Sequence, residues 1–449
     1  MILRRGWFFS IRHASQVLLC VALLCDNPVE RPGRRLFVSV FGIIGEYVYL
    51  PMSSCFKIPG LKISLLETAF VFLGVSVLVQ YAHFDHKGWR KQPVVVWFGV
   101  YLGTLLTWVL YGLCTGGALR FAVLQIRVVA FLPLVLFVFA HAFSRLKDVY
   151  QVLGILLCVC VVRSVEIVYY HFTVTRATRA FSAEGGDGYY VLTHSDALLA
   201  AVVLVMLCVW LFEYPQRHYQ WAFFLCSPVI LLATVLNNRR IAFVALFLGL
   251  VPFVVLARNA VKRRFSSGLK MVLPLLCVYV VLGWGARKQA WAKPVQIVRS
   301  MFENKDTSSA TRDIENYNLI YTFKTHPLMG MGFGHTYIEQ VKAYDISHFF
   351  EAYLYVPHNS VLGLWSSLGL LGYTLFSLFL SVWVYYAAQV YQRSHFTIDR
   401  VCAVVSIASV MGYHVMSYGD MGMQSWMCTL VLCACLGSVL GRLRVGLCG

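Results

Sequence analysis

The sequence predicts an all-α polytopic membrane protein, and three observations predict it. Hydrophobic residues make up 59% of the 449 residues and charged residues only 13%, with a mean hydropathy of +0.69. Soluble domains run near 45–50% apolar and about 25% charged, so both fractions depart together. The apolar residues also gather into runs close to the ~20 residues that a hydrocarbon core of about 30 Å requires. Finally, 38 Lys and Arg against 20 Asp and Glu give a net charge of +18, and these charges fall unevenly between the ends of the runs. A soluble enzyme, a disordered chain and a DNA-binding domain are excluded.

Twelve spans are read, near 36–50, 63–80, 94–114, 121–142, 149–172, 193–213, 219–236, 240–256, 269–285, 359–387, 400–418 and 424–442. The first is short and holds Glu46. Residues 15–25 are too short to span, and although Arg4 and Arg5 precede them, no A-x-A cleavage pattern follows. They are expected to form an interfacial helix. Twelve spans put both termini on one side. That side carries 21 Lys and Arg in its loops and tails, against seven in the short loops opposite, so both termini are expected in the cytoplasm. The basic balance is then topological, and a nucleic-acid partner loses its support. The chain divides into an N-terminal segment 1–35, nine spans over 36–285, a large outer loop 286–358, and three spans with a short tail over 359–449.

The 14 cysteines lie mostly inside apolar runs, no CxxC pair occurs, and 286–358 has none. They read as packing residues, not as a disulfide framework or a zinc site. The loop 286–358 carries eight basic and seven acidic residues. Within it Ile314, Tyr317 and Tyr321 recur at helical spacing, so 309–324 reads as an amphipathic helix that Pro327 and the following glycines stop.

Charges within spans are costly and mark a cavity or a partner. Arg163 and Glu166 stand three apart on one span and read as a mutual ion pair. Arg127, in the outer half of its span, either lines an outer cavity or pairs with Asp196. Arg239 and Arg240 follow Asn237 and Asn238 in a very short outer turn and open a helix. Free N–H groups and the helix dipole favour anions there. Arg312 opens the loop helix. The run His326 to His335 places Gly330, Gly332 and Gly334 at alternate positions, which suits a backbone packed closely against the membrane surface or a ligand. His358 stands at the start of the tenth span, beside Asn359. The dipole disfavours an imidazolium there, and a neutral imidazole accepts protons. Other outer histidines exist, His335 among them, but no HExxH or comparable ligand spacing appears, so no metal is expected.

Three blocks resemble the O-antigen ligase and polymerase superfamily of bacterial envelope enzymes. One is Arg240-Ile-Ala-Phe-Val-Ala-Leu-Phe-Leu-Gly-Leu250. Another is Arg312 followed by a helix and His326-Pro-Leu-Met-Gly-Met-Gly-Phe-Gly334. The third is His358-Asn-Ser-Val-Leu-Gly-Leu364 with Leu368-Gly-Leu-Leu-Gly372. The resemblance spans about 230–375; Arg239 and Ser367 depart from the family pattern.

The resemblance implies a multi-spanning, lipid-donor glycosyltransferase architecture of the GT-C-like kind, inverting and independent of metal or any other cofactor. It implies an undecaprenyl-diphosphate-linked glycan as donor, membrane lipids around it, and a periplasmic active site in the bacterial inner membrane. The acceptor hydroxyl would belong to lipid A–core for a ligase, to another lipid-linked glycan for a polymerase, or to a protein Ser for a protein O-oligosaccharyltransferase. Arg240, Arg312 and His358 are the expected catalytic residues, and Arg239, Arg127, His335 and Asn359 the expected contacts to diphosphate or glycan. A secondary transporter or flippase is the reading from another class. It fits the intramembrane charges but not their concentration on one face and one loop.

Overall fold

The structure, a computed structural model, describes residues 2–26, 40–55, 62–84, 93–175, 195–214, 216–237, 239–286, 289–300, 307–342, 345, 347 and 351–445. In chain order the helices are α1 (Ile2–Cys25), α2 (Val40–Tyr49), α3 (Leu65–Phe84), α4 (Pro93–Cys114), α5 (Leu119–Ala142), α6 (Leu146–Tyr170), α7 (Ser195–Glu213) and α8 (Arg217–Leu236). They continue with α9 (Arg240–Leu256), α10 (Asn259–Gly285), α11 (Lys293–Arg299), α12 (Thr307–Thr325), α13 (Ser360–Arg393), α14 (Thr397–Gly419) and α15 (Trp426–Val445). Among the described residues nine helices are long and apolar enough to cross a membrane, and Ser10–Cys25, Gln220–Leu236 and Arg240–Leu256 are shorter apolar helices. The chain is a polytopic membrane protein.

Two helices are described at the N-terminus. Within the expected span 36–50 the described helix is Val40–Tyr49, whose ten residues rise about 15 Å, and residues 36–39 lie outside the described residues. The segment 15–25, expected at the interface, is instead packed into the bundle: Leu19, Ala22 and Leu23 are fully buried. The Tyr49 hydroxyl donates to the Ala22 carbonyl at 2.6 Å, tying α2 to the end of α1.

The centre of the bundle is built from α7, α14 and α15. Small side chains let their backbones approach closely. A Cβ on Gly412 would sit 2.4 Å from Leu198 Cδ1 on α7, and one on Gly437 would sit 2.6 Å from Phe139 Cβ on the neighbouring α5. Cys402, Cys428, Cys433 and Cys435 are buried in this contact as free thiols. At one end the acids are paired out of solvent: Asp148 with Arg12 at 3.3 Å, Glu213 with Arg400 at 3.1 Å and Asp399 with Arg442 at 3.0 Å. Such acids would be costly alone and are held by their arginine partners.

Helix α10 departs from this packing. Val261 is buried at its first end, and Phe265 meets Phe212 and Phe253 with ring centroids 5.2 and 5.4 Å apart. At its last end the Gln296 amide donates to the Gly283 carbonyl at 2.6 Å. Between them, from Leu269 to Leu282, every residue but Tyr279 is exposed. The helix is anchored at both ends and stands away from the bundle in the middle.

Candidate active site

The long helix α13 is broken at Gly369, where φ is 61° and ψ is −169°. Only glycine adopts that backbone region without strain. The break leaves backbone groups of α13 unpaired within the helix, and the glycine loop satisfies them. Leu370 N–H donates to Pro327 O at 2.8 Å and Leu371 N–H to Leu328 O at 3.1 Å. In return Met331 and Gly332 N–H donate to Ser366 and Ser367 O at 3.0 and 2.9 Å. The loop also enters a notch in α4: a Cβ on Gly332 would lie 2.4 Å from Gly112 Cα. The close approach of these glycines is made to α4 and the broken α13. Irregular backbone is tolerated beside a bilayer where protein buries it.

The loop helix α12 forms as expected, with a different face inward. Glu315, Asn318, Leu319 and Thr322 are buried, while Tyr317 is 53% exposed. The helical period is right, but hydrogen bonds choose the face. The Asn318 side chain receives Gln340 N–H and Val341 N–H, both at 3.0 Å, and donates to Val341 O at 2.7 Å. Ile338 N–H donates to Thr322 Oγ1 at 2.8 Å. This polar stripe folds the rest of the loop back onto α12 and presents its first turns to the start of α13.

His358 lies at that junction. Its backbone N–H donates to Glu315 Oε1 and Oε2 at 3.2 and 3.1 Å, and its Nδ1 stands 3.3 Å from Glu315 Oε1. The Glu315 side chain is 8% exposed and that of His358 38%. The hydrogen bond to Glu315 raises the imidazole pKa above its ordinary value; burial opposes this, the Glu315 and Asp420 charges add to it, and Arg312 subtracts. This reverses the sequence expectation, in which the helix dipole alone disfavoured the charged form. Arg312 is three residues before Glu315, hence on the same side of α12.

Asn359 is engaged in structure. Its Oδ1 accepts Leu362 N–H at 3.0 Å, capping α13, and its Nδ2 donates to Asn316 Oδ1 at 2.9 Å. Ser360 Oγ donates to the Asp420 carbonyl at 3.3 Å, bringing the turn after α14 beside the start of α13. The same turn adjoins the start of α9, since a Cβ on Gly419 would lie 2.2 Å from Ile241 Cδ1. Arg240, the neighbour of Ile241, therefore opens α9 at the same end of the bundle as His358, Arg312 and Asp420. Arg239 lines a small cavity with Arg163, Asp196, Thr234 and Asn237.

The other candidates lie elsewhere or are already paired. Arg127 forms a two-pronged ion pair with Glu67, Nε to Oε1 at 2.5 Å and Nη2 to Oε2 at 2.6 Å. Asp196, its expected partner, pairs with Arg163 instead. Arg163 also donates to the carbonyls of Leu24 and Asp26, both at 3.0 Å, so it joins α7 to the end of α1. His335 Nε2 stands 3.0 Å from both Gly112 O and Thr115 Oγ1, fastening the glycine loop to α4. Sequence reasoning missed Glu315 and Asp420. The spacing of Glu315 from Arg312 was a signal for the first; nothing local singled out the second. Among the described residues no group of three or more His, Cys, Asp or Glu side chains is arranged to hold a metal.

Fold and site together define a polytopic membrane protein with arginines and a carboxylate-backed histidine at one end of its bundle. Residues 227–377 match the family model described as O-antigen ligase. That stretch contains Arg240, Arg312, Glu315 and His358. No curated protein matches the chain.

Proposed function

We propose that this protein transfers a glycan from undecaprenyl diphosphate to an acceptor hydroxyl on the periplasmic face of the inner membrane, as an inverting, metal-independent glycosyltransferase, and that the acceptor is lipid A–core. The observation that carries the reading is the meeting of His358 with α12, which bears Arg312, at the bundle end where Arg240 opens α9. In a single displacement the acceptor O–H gives its proton to His358. Its oxygen bonds to the anomeric carbon, and the diphosphate leaves with the electrons of the broken C–O bond. Arg240 and Arg312 meet that departing charge with fixed guanidinium groups, which bind phosphate oxygens two at a time.

The topology proposed with it has twelve crossings, α1 replacing 36–50, and both termini cytoplasmic. The arginine-paired acids then lie at the cytoplasmic end. The exposed apolar stripe of α9, Val244, Phe247, Val251 and Val255, descends on the side of Arg240. A polyprenyl chain whose diphosphate rests at Arg240 would lie along it.

Ligation is preferred over polymerisation on one observation. A polymerase needs cations for a second diphosphate, and Arg127, one of three arginines available for that, is neutralised by Glu67; Arg176 and Arg179 lie outside the described residues. The basic loop residues expected to face an anionic lipid A–core are Lys293, Arg299, Lys324 and Lys342, and Lys288 lies outside the described residues. The test is transfer by purified protein given lipid-linked donor with and without lipid A–core. Consumption of lipid A–core supports ligation; elongation of donor by donor alone means polymerisation.

A further inference from the structure

We propose that Glu315 is the positioning residue for His358: its carboxylate fixes the imidazole tautomer with Nε2 free to take the acceptor proton, and it holds the imidazolium that results. The inference rests on the reading of His358 as the base. A carboxylate only accepts, so the Nδ1 that stands 3.3 Å from Glu315 Oε1 must carry a hydrogen. The lone pair is then on Nε2, the other side of the ring. The same carboxylate accepts the His358 backbone N–H with both oxygens. Backbone and ring are thus aimed by one group.

A purely structural role does not account for the charge. The neighbouring Asn359–Asn316 hydrogen bond already joins the start of α13 to α12 at 2.9 Å. A neutral amide at 315 would accept the backbone N–H equally well. A carboxylate that is almost wholly buried is costly without charge-assisted partners, and the imidazole is the group beside it that gains from a negative charge. The charged groups facing His358 are Glu315 and Arg312 from α12 and Asp420 from the turn after α14. Of these Glu315 is the one whose contact with the ring is a hydrogen bond.

The test compares Glu315→Gln, Glu315→Asp and His358→Ala in the full-length purified protein, following transfer from lipid-linked donor against pH. A neutral His358 is the active form, so activity falls as pH drops through its pKa. Removing the carboxylate lowers that pKa. Glu315→Gln is expected to lose about 10²-fold in rate and to move the acid limb of the profile to lower pH. Glu315→Asp is expected to recover part of the rate with the limb near its original place. Carbethoxylation of His358, followed by peptide mass spectrometry, reads the neutral imidazole without any turnover, and its midpoint should fall in Glu315→Gln. An unmoved acid limb and an unmoved midpoint, with His358→Ala inactive, would overturn the role of Glu315 and leave the base standing. Near-normal transfer by His358→Ala would remove the base itself, and this inference with it.

Discussion

Gly330 and Gly369 face each other with no room for a side chain on either. A Cβ on Gly369 would lie 2.4 Å from Gly330 N, and one on Gly330 would lie 2.5 Å from Gly369 N. The glycine loop and the break in α13 are therefore one structure. Gly369→Ala must adopt strained backbone worth about 1–3 kcal/mol and also separate the two chains. It is expected to lower the thermal unfolding temperature of the detergent-purified protein. Gly103→Ala, where nothing lies within 4 Å of the added carbon, is expected to leave it unchanged.

Arg127 and Glu67 form a structural pair on this account. Arg127→Ala strands a carboxylate whose side chain is 2% exposed, a loss typically of about 3–5 kcal/mol. The double variant Arg127→Met with Glu67→Leu removes both charges and is expected to regain stability and transfer together. A stable double variant without transfer would return Arg127 to the donor site.

The revised N-terminus is tested by reporters. Arg12 is paired with Asp148 at the end of the bundle that also holds Arg400 and Glu213, while Arg163 binds the Asp26 carbonyl at the far end of α1. A reporter fused after Glu30 is expected to score periplasmic; the span 36–50 would make it cytoplasmic. Reporters between Phe265 and Lys270 are expected to score cytoplasmic, and reporters within 300–345 periplasmic.

Transfer is expected to survive EDTA, because the proposed mechanism gives fixed arginines the part of a divalent cation at the diphosphate. Reversible loss of activity on chelation would contradict this.

The membrane class and nearly every helix after residue 60 could be read from the sequence, because long apolar runs report the bilayer directly. The three motif blocks all fall within residues 227–377, the stretch that matches the O-antigen ligase family model. What could not be read was pairing. Arg163 stands three residues from Glu166 but hydrogen-bonds Asp196, and Arg127 takes Glu67, because partners in a bundle are chosen across helices and local spacing does not encode that. The inward face of α12 was misread because polar side chains bury there to hold a loop, against the hydrophobic pattern. Asn359 caps α13, a role that its position before Ser360 permits.

The most direct test of the transfer site is the activity of Arg240→Lys, Arg312→Lys and His358→Ala at matched membrane levels, with lipid-linked donor and lipid A–core. Lysine keeps the charge and loses the two-pronged contact. Each arginine variant is expected to lose about 10²–10³-fold and His358→Ala about 10²–10⁴-fold. Near-normal transfer by all three folded variants would contradict the account.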